Sequence, residues 1–148
     1  MLNTDINYWI VGSMLGGTKK GDIFQECIER GYWYCWENPD EQELTPKIKE
    51  MRSKFGSISP GDRIAIKKQL GTGKNASFME IRAIGVVNVV DTKEWRVYVD
   101  WLIPQRRDVK QEMKRRVPKK GPGGITSISG PYKNDLVNSE WLPQIFCI

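Results

Sequence analysis

At 148 residues, with 23 Lys and Arg against 18 Asp and Glu, the chain is long enough to bury a core without cross-links and carries a net charge of +5. It contains no histidine, which removes Ser-His-Asp and Cys-His nucleophile activation, histidine metal ligation and the commonest general base. Its cysteines, Cys27, Cys35 and Cys147, form no C-x-x-C pair; they argue against a zinc site and a disulfide framework and read as buried free thiols, in a cytosolic single domain with neither leader nor membrane span.

In chain order, residues 7–13 form an apolar segment of strand length, ended by Gly16-Gly17, and predict a central strand. A short helix follows over 22–30, with Asp22 as N-cap, Ile23, Phe24, Cys27 and Ile28 on one face, and Gly31 as its stop. Thr45 as N-cap and Pro46 at the first helical position open a second helix, with Ile48, Met51 and Phe55 at helical spacing until Gly56. Ser59-Pro60-Gly61-Asp62 reads as a turn, and 63–67 alternates charged and apolar residues as a half-buried strand does. Residues 78–90 and 95–102 predict a hairpin through Asp91-Thr92-Lys93, with Gly85 marking a bulge or bend in its first arm. Residues 139–146 read as a closing helix that packs Trp141, Leu142, Ile145 and Phe146 on the strands. The fold class expected from this order is α+β, a small β-barrel with short flanking helices.

Two glycine-rich stretches invite comparison with phosphate cradles. Gly71-Thr72-Gly73-Lys74-Asn75 lacks the upstream glycine and the hydroxyl that a Walker A loop needs, and Gly16-Gly17-Thr18-Lys19 has threonine where lysine belongs. The first reads as a hairpin connection, the second as a turn before a helix. Glu37, Asp40, Glu41 and Glu43 lie in a Pro-containing stretch and read as a solvated loop rather than a catalytic pair.

Two features point to nucleic acid. Gly31-Tyr32-Trp33-Tyr34-Cys35-Trp36 places four large rings in six residues, and planar rings beside flexible loops can hold an extruded base by stacking; the competing reading is that they build the core. From 106 to 120 the chain carries Arg106, Arg107, Lys110, Lys114, Arg115, Arg116, Lys119 and Lys120 against only Asp108 and Glu112. Such a run is either a solvated face or a phosphate-contacting arm that displaces condensed counterions.

Tyr8-Trp9-Ile10-Val11-Gly12, Arg30-Gly31-Tyr32-Trp33, Pro60-Gly61-Asp62-Arg63-Ile64-Ala65-Ile66-Lys67 and the segments Ile84-Gly85-Val86-Val87 and Val99-Asp100-Trp101-Leu102 together resemble EVE-like domains of the PUA superfamily. More narrowly they resemble the N-terminal DNA-specificity domains of McrB-type modification-dependent restriction systems. The resemblance implies a PUA-like barrel (related also to YTH domains) over 1–148 that flips a modified base out of duplex DNA into an aromatic cage. Carried to matching positions, it implies a base pocket of Ser13, Met14, Trp33, Trp36 and Lys67. Phosphate contacts are expected from Lys68, Lys74, Arg106, Arg107, Arg115, Arg116, Lys119 and Lys120. The expected partners are modified duplex DNA and a McrB-type GTPase motor with its nuclease, with no cofactor, metal, catalysis or membrane. An RNA reader of YTH or PUA type, and an adaptor or enzyme whose aromatics are structural, are the alternatives.

Overall fold

The computed structural model describes residues 5–15, 21–35, 45–70, 78–105, 111–119 and 128–147. In chain order the elements are β1 (Tyr8–Gly12), β2 (Met14–Leu15), β3 (Gly21–Asp22), α1 (Phe24–Arg30), β4 (Tyr32–Trp33), α2 (Pro46–Gly56), β5 (Arg63–Leu70), β6 (Phe78–Asp91), β7 (Arg96–Ile103), β8 (Arg115–Pro118), β9 (Ile128–Tyr132) and α3 (Leu142–Phe146). This is a mixed α+β fold built on a sheet.

Local chemistry explains the helices. The Thr45 hydroxyl accepts the Ile48 amide at 3.2 Å and Pro46 opens α2, as the sequence predicts. At α1 the cap differs by one residue: Ile23 is the N-cap, and Asp22, one position outside, accepts the Phe24 amide at 3.0 Å through its carboxylate. Gly31 ends α1 at a φ of 72°, a left-handed conformation that a Cβ disfavours.

The sheet runs β4-β7-β6-β5-β1-β9, with β8 pairing β6 off this path. The expected barrel is corrected: among the described residues no pairing joins β4 to β9, so the sheet stays open. Closure needs edge strands that pair along their length, and β4 contributes only Tyr32 and Trp33. The predicted central strand β1 lies between β5, to which it is parallel, and β9.

Alternation along β1 and β5 separates two cores. Trp9, Val11, Ile64 and Ile66 join Phe24, Cys27, Ile28 and Phe55 from α1 and α2. Tyr8, Ile10 and Ala65 join Leu142, Ile145 and Phe146 from α3. Asp62, in the predicted turn, binds the two strand starts together, accepting the Trp9 indole N–H at 2.9 Å, the Ser59 amide at 2.9 Å and the Asn7 amide at 3.2 Å.

Two irregularities in β6 matter below. At Gly85 the register against β7 shifts, and a Cβ there would lie 2.5 Å from Val99 Cγ1 and 2.8 Å from the Asp100 carbonyl, so only glycine lets the hairpin close. Opposite β5 the pairing passes from Ile66↔Ala83 to Lys67↔Ile81, leaving Arg82 as the extra residue of a bulge.

Residues 106–120 are not an arm throughout, because β8 lies within them and pairs with Phe78 to Ile81 of β6. Cys27 is buried as expected, but Cys35 is half-buried and Cys147 exposed; desolvation pushes the Cys27 and Cys35 thiols above their ordinary range and so away from thiolate chemistry. Among the described residues no helix is long and apolar enough to cross a membrane.

Candidate functional site

Three of the five expected pocket residues lie by the C-terminal end of β1 but not on one face of the sheet: Ser13 and Trp33 are on the α1 side, and Lys67, like Ala65 and its partner Ile81, is on the α3 side. Gly12 pairs with Lys67 on β5, Ser13 follows directly, and the Trp33 indole donates to the Gly12 carbonyl at 2.8 Å. The local reason is strand geometry: β1 ends at Gly12, and the chain turns so that the Ser13 carbonyl accepts the Ile23 amide at 2.8 Å, bringing the start of α1 to the same place.

Their surroundings differ from the expectation. Trp33 is 0% exposed and its ring stacks on Phe55 with centroids 5.9 Å apart, so both its faces belong to the core and it anchors the strand end from beneath. The neighbouring rings are also committed. The Tyr32 and Tyr34 hydroxyls both donate to Glu26, at 2.6 and 3.1 Å, and the Arg96 guanidinium lies 3.9 Å from the Tyr34 ring centre. Burial and Glu26 push the Tyr32 phenol up to about 12. Trp36 lies outside the described residues. Met14, by contrast, is 56% exposed, a large apolar side chain open to solvent beside Ser13.

Arg82 organises this end of the sheet. It is 7% exposed, and its bulge position turns it out of the β6 alternation toward α1. Its guanidinium donates to Glu112 at 2.7 Å, Asp22 at 2.7 Å and the Ser13 hydroxyl at 2.9 Å, and lies 4.1 Å from the Phe24 ring centre. Burial alone would raise the Asp22 carboxyl, but the hydrogen bonds from Arg82 and the Phe24 amide outweigh it and hold Asp22 below its ordinary range. Sequence reasoning missed this network; the available signal was one arginine inside the otherwise apolar centre of β6.

Lys67 is 7% exposed, and burial followed by repulsion from Lys119 pushes its amine down to about 8. Lys68, next along the strand, is exposed, as alternation requires.

The expected phosphate contacts divide. Arg116 and Lys119 lie on or just beyond β8, which flanks β6 opposite β5, so the topology gathers cations distant in sequence around the first half of β6. Arg116 is exposed, with its guanidinium 4.1 Å from the Phe78 ring centre. Arg115 is half-buried, and its guanidinium donates to the Gln144, Ile145 and Cys147 carbonyls at the end of α3. Lys74, Arg106, Arg107 and Lys120 lie outside the described residues, as do the two glycine-rich stretches and Glu37, Asp40, Glu41 and Glu43.

A cleft of about 390 Å³ lies elsewhere, at the C-terminal end of α1, lined in part by Arg30, Asn88, Tyr98, Asp100 and Trp101. None of the expected site residues lines it. Among the described residues no group of three or more His, Cys, Asp or Glu side chains could hold a metal ion. Comparison with protein-family models, with curated proteins and with solved structures gave no match.

Proposed function

We propose that the chain is a non-catalytic reader of duplex DNA carrying a modified base, an EVE-like domain of the PUA superfamily that takes the extruded base at the end of β1. It would serve as the specificity module of a modification-dependent restriction system, beside a McrB-type motor and nuclease. The observation that carries the reading is Lys67: a buried lysine with no ion pair among the described residues, in register with Gly12 at the strand end where the resemblance puts the base.

The energetics favour this division of labour. Extruding a base costs a few kcal/mol, and stacking returns about 1–3 kcal/mol per base. With Trp33 buried and Met14 the exposed apolar side chain at this strand end, one ring fewer than expected can stack, so rings alone do not offset extrusion. The remainder must come from cations near the pocket, and Lys67, Lys68, Arg116 and Lys119 supply them around the first half of β6. Phosphate contacts of this kind position a duplex without reading it, so discrimination falls to the pocket.

The test is a binding panel of unmodified duplex DNA, duplexes with methylated or hydroxymethylated bases, and single-stranded RNA at fixed salt. Tighter binding of one modified duplex is expected. Preference for RNA would select the YTH-type alternative, and no binding to any of them would leave the aromatics as core residues of an adaptor.

A further inference from the structure

Beyond the end of β1 the sheet continues as a tongue of β5, β6 and β8. Gly12, Lys67, Ile81 and Arg115 form one row across it, and Lys68, Glu80 and Arg116 form the next. Met79, Ile81 and Val117 point into the α3 core, so alternation turns Lys68, Leu70, Phe78, Glu80, Arg116 and Pro118 to the opposite face, the α1 side on which Ser13 and Trp33 lie. That face of the tongue meets solvent: Lys68, Arg116 and Pro118 are exposed, and Phe78 is half-buried. The Arg116 guanidinium carbon stands over the Phe78 ring, 4.1 Å from its centre. Such packing restricts the long arginine side chain before any ligand arrives, which lowers the entropy lost on binding. Glu80 lies between Lys68 and Arg116 in the register, so the strip is not a uniformly cationic track for phosphates, and the ring beneath the guanidinium sets it apart.

We propose that Arg116, held over Phe78, is a stacking platform for an unpaired nucleobase, separate from the base pocket at the end of β1. Guanidinium planes take unstacked bases as aromatic rings do, with little dependence on which base is offered. The platform lies three strand spacings from β1, roughly 14 Å along the sheet and farther than one base reaches, so it takes a nucleotide other than the extruded one. Stacking uses the face of the guanidinium and leaves its in-plane N–H groups to a phosphate, so both contacts are open to the same side chain. The inference rests on the nucleic-acid reading given above but not on base modification. It also supplies stacking that the burial of Trp33 takes from the pocket.

Binding of a short oligodeoxyadenylate, and of an abasic phosphodiester of the same length, to the intact chain over a range of salt concentrations tests it. Neither probe carries a modified base, so the outcome is independent of the duplex panel. The native chain is expected to hold the base-bearing strand several-fold more tightly than the abasic one. Arg116→Lys keeps the charge and loses the plane; it is expected to weaken oligodeoxyadenylate about fivefold, to leave the abasic strand unchanged and to keep the slope of log affinity against log salt. Phe78→Leu, which keeps apolar bulk beneath the guanidinium but no ring, is expected to do the same. Full oligodeoxyadenylate affinity in Arg116→Lys, or equal binding of the two strands by the native chain, overturns the proposal, as does failure of the native chain to bind either strand. The expected loss in Arg116→Lys together with no preference among the duplexes keeps the platform and removes the modified-base reading.

Discussion

Replacing Lys67 by methionine removes a buried charge while keeping an unbranched side chain of similar length, and the outcome follows from where the amine titrates. An amine pushed down to about 8 in the fold against an ordinary 10.5 is charged at pH 7 at a cost of about 3 kcal/mol to folding. Because the folded value is the lower one, the unfolded chain binds more protons between those two values, and the native protein must gain stability as pH rises through that window. The gain expected from this group between pH 7 and pH 9.5 is about 2 kcal/mol. Lys67→Met should therefore be more stable than the native chain at pH 7, by up to about 3 kcal/mol, and should lose the pH-dependent part of the difference by pH 9.5. Urea unfolding of both proteins at the two pH values measures this directly. Destabilisation by Lys67→Met at pH 7, or a difference that does not shrink at pH 9.5, would refute the idea of an uncompensated buried amine. The same variant should bind modified duplex more weakly, so a site that costs stability would be maintained for binding.

The remaining predictions separate framework from contact. Trp33→Ala should cost about 3–5 kcal/mol of stability, read as a lowered urea midpoint, while Trp36→Ala should leave stability intact and weaken modified-duplex binding by about 1–3 kcal/mol. Arg82→Met strands Asp22 and Glu112 beside Ser13, and thermal unfolding should report a loss of about 3 kcal/mol, reduced to the extent that those two carboxylates are rehydrated. Arg116→Gln should flatten the dependence of log affinity on log salt by about 0.9, without changing the preference for the modified duplex. Arg115→Gln should instead lower stability by freeing the end of α3, with little effect on the slope.

The larger elements were legible because their signals are local. Thr45-Pro46 marks the start of α2 chemically, Gly31 marks the end of α1, and Asp62 belongs to a turn that the sequence spells out. The bulge at Gly85 was readable for the same reason, since a glycine in an apolar strand marks a place where backbones crowd. What could not be read depends on long-range pairing. β4 is too short to carry a period, and β8 hides in a basic run that looks solvated. β9 contains Gly130-Pro131, a dipeptide that reads as a turn, yet Gly130, at a φ of 126°, lies against β1, where a Cβ would come within 2.9 Å of the Tyr8 carbonyl. The open sheet follows from these three strands, so the barrel expectation failed where the local signal ran out.

The site shows the same limit one level higher. Ring count and charge count are sequence properties, but which ring is free and which cation is free depend on partners far along the chain. Trp33 was a reasonable choice for a stacking platform until Phe55 and the Gly12 carbonyl claimed its face and its N–H. Arg115 was an equally reasonable phosphate contact until α3 supplied carbonyls for it to cap. Lys67 depends on the fold in the same way: the run Ile66-Lys67-Lys68 does not say which lysine faces inward, and the packed sheet buries Lys67 while leaving Lys68 exposed. Placing a carboxylate beside the buried Lys67 amine should raise the Lys67 midpoint toward its ordinary value and weaken duplex binding together. Gly12→Asp is such a change, because Gly12 is in register with Lys67 on the face that Ile10 and Ala65 share, and lysine NMR with the duplex panel reads both effects; a raised midpoint with unchanged duplex affinity would separate the buried charge from nucleic-acid binding.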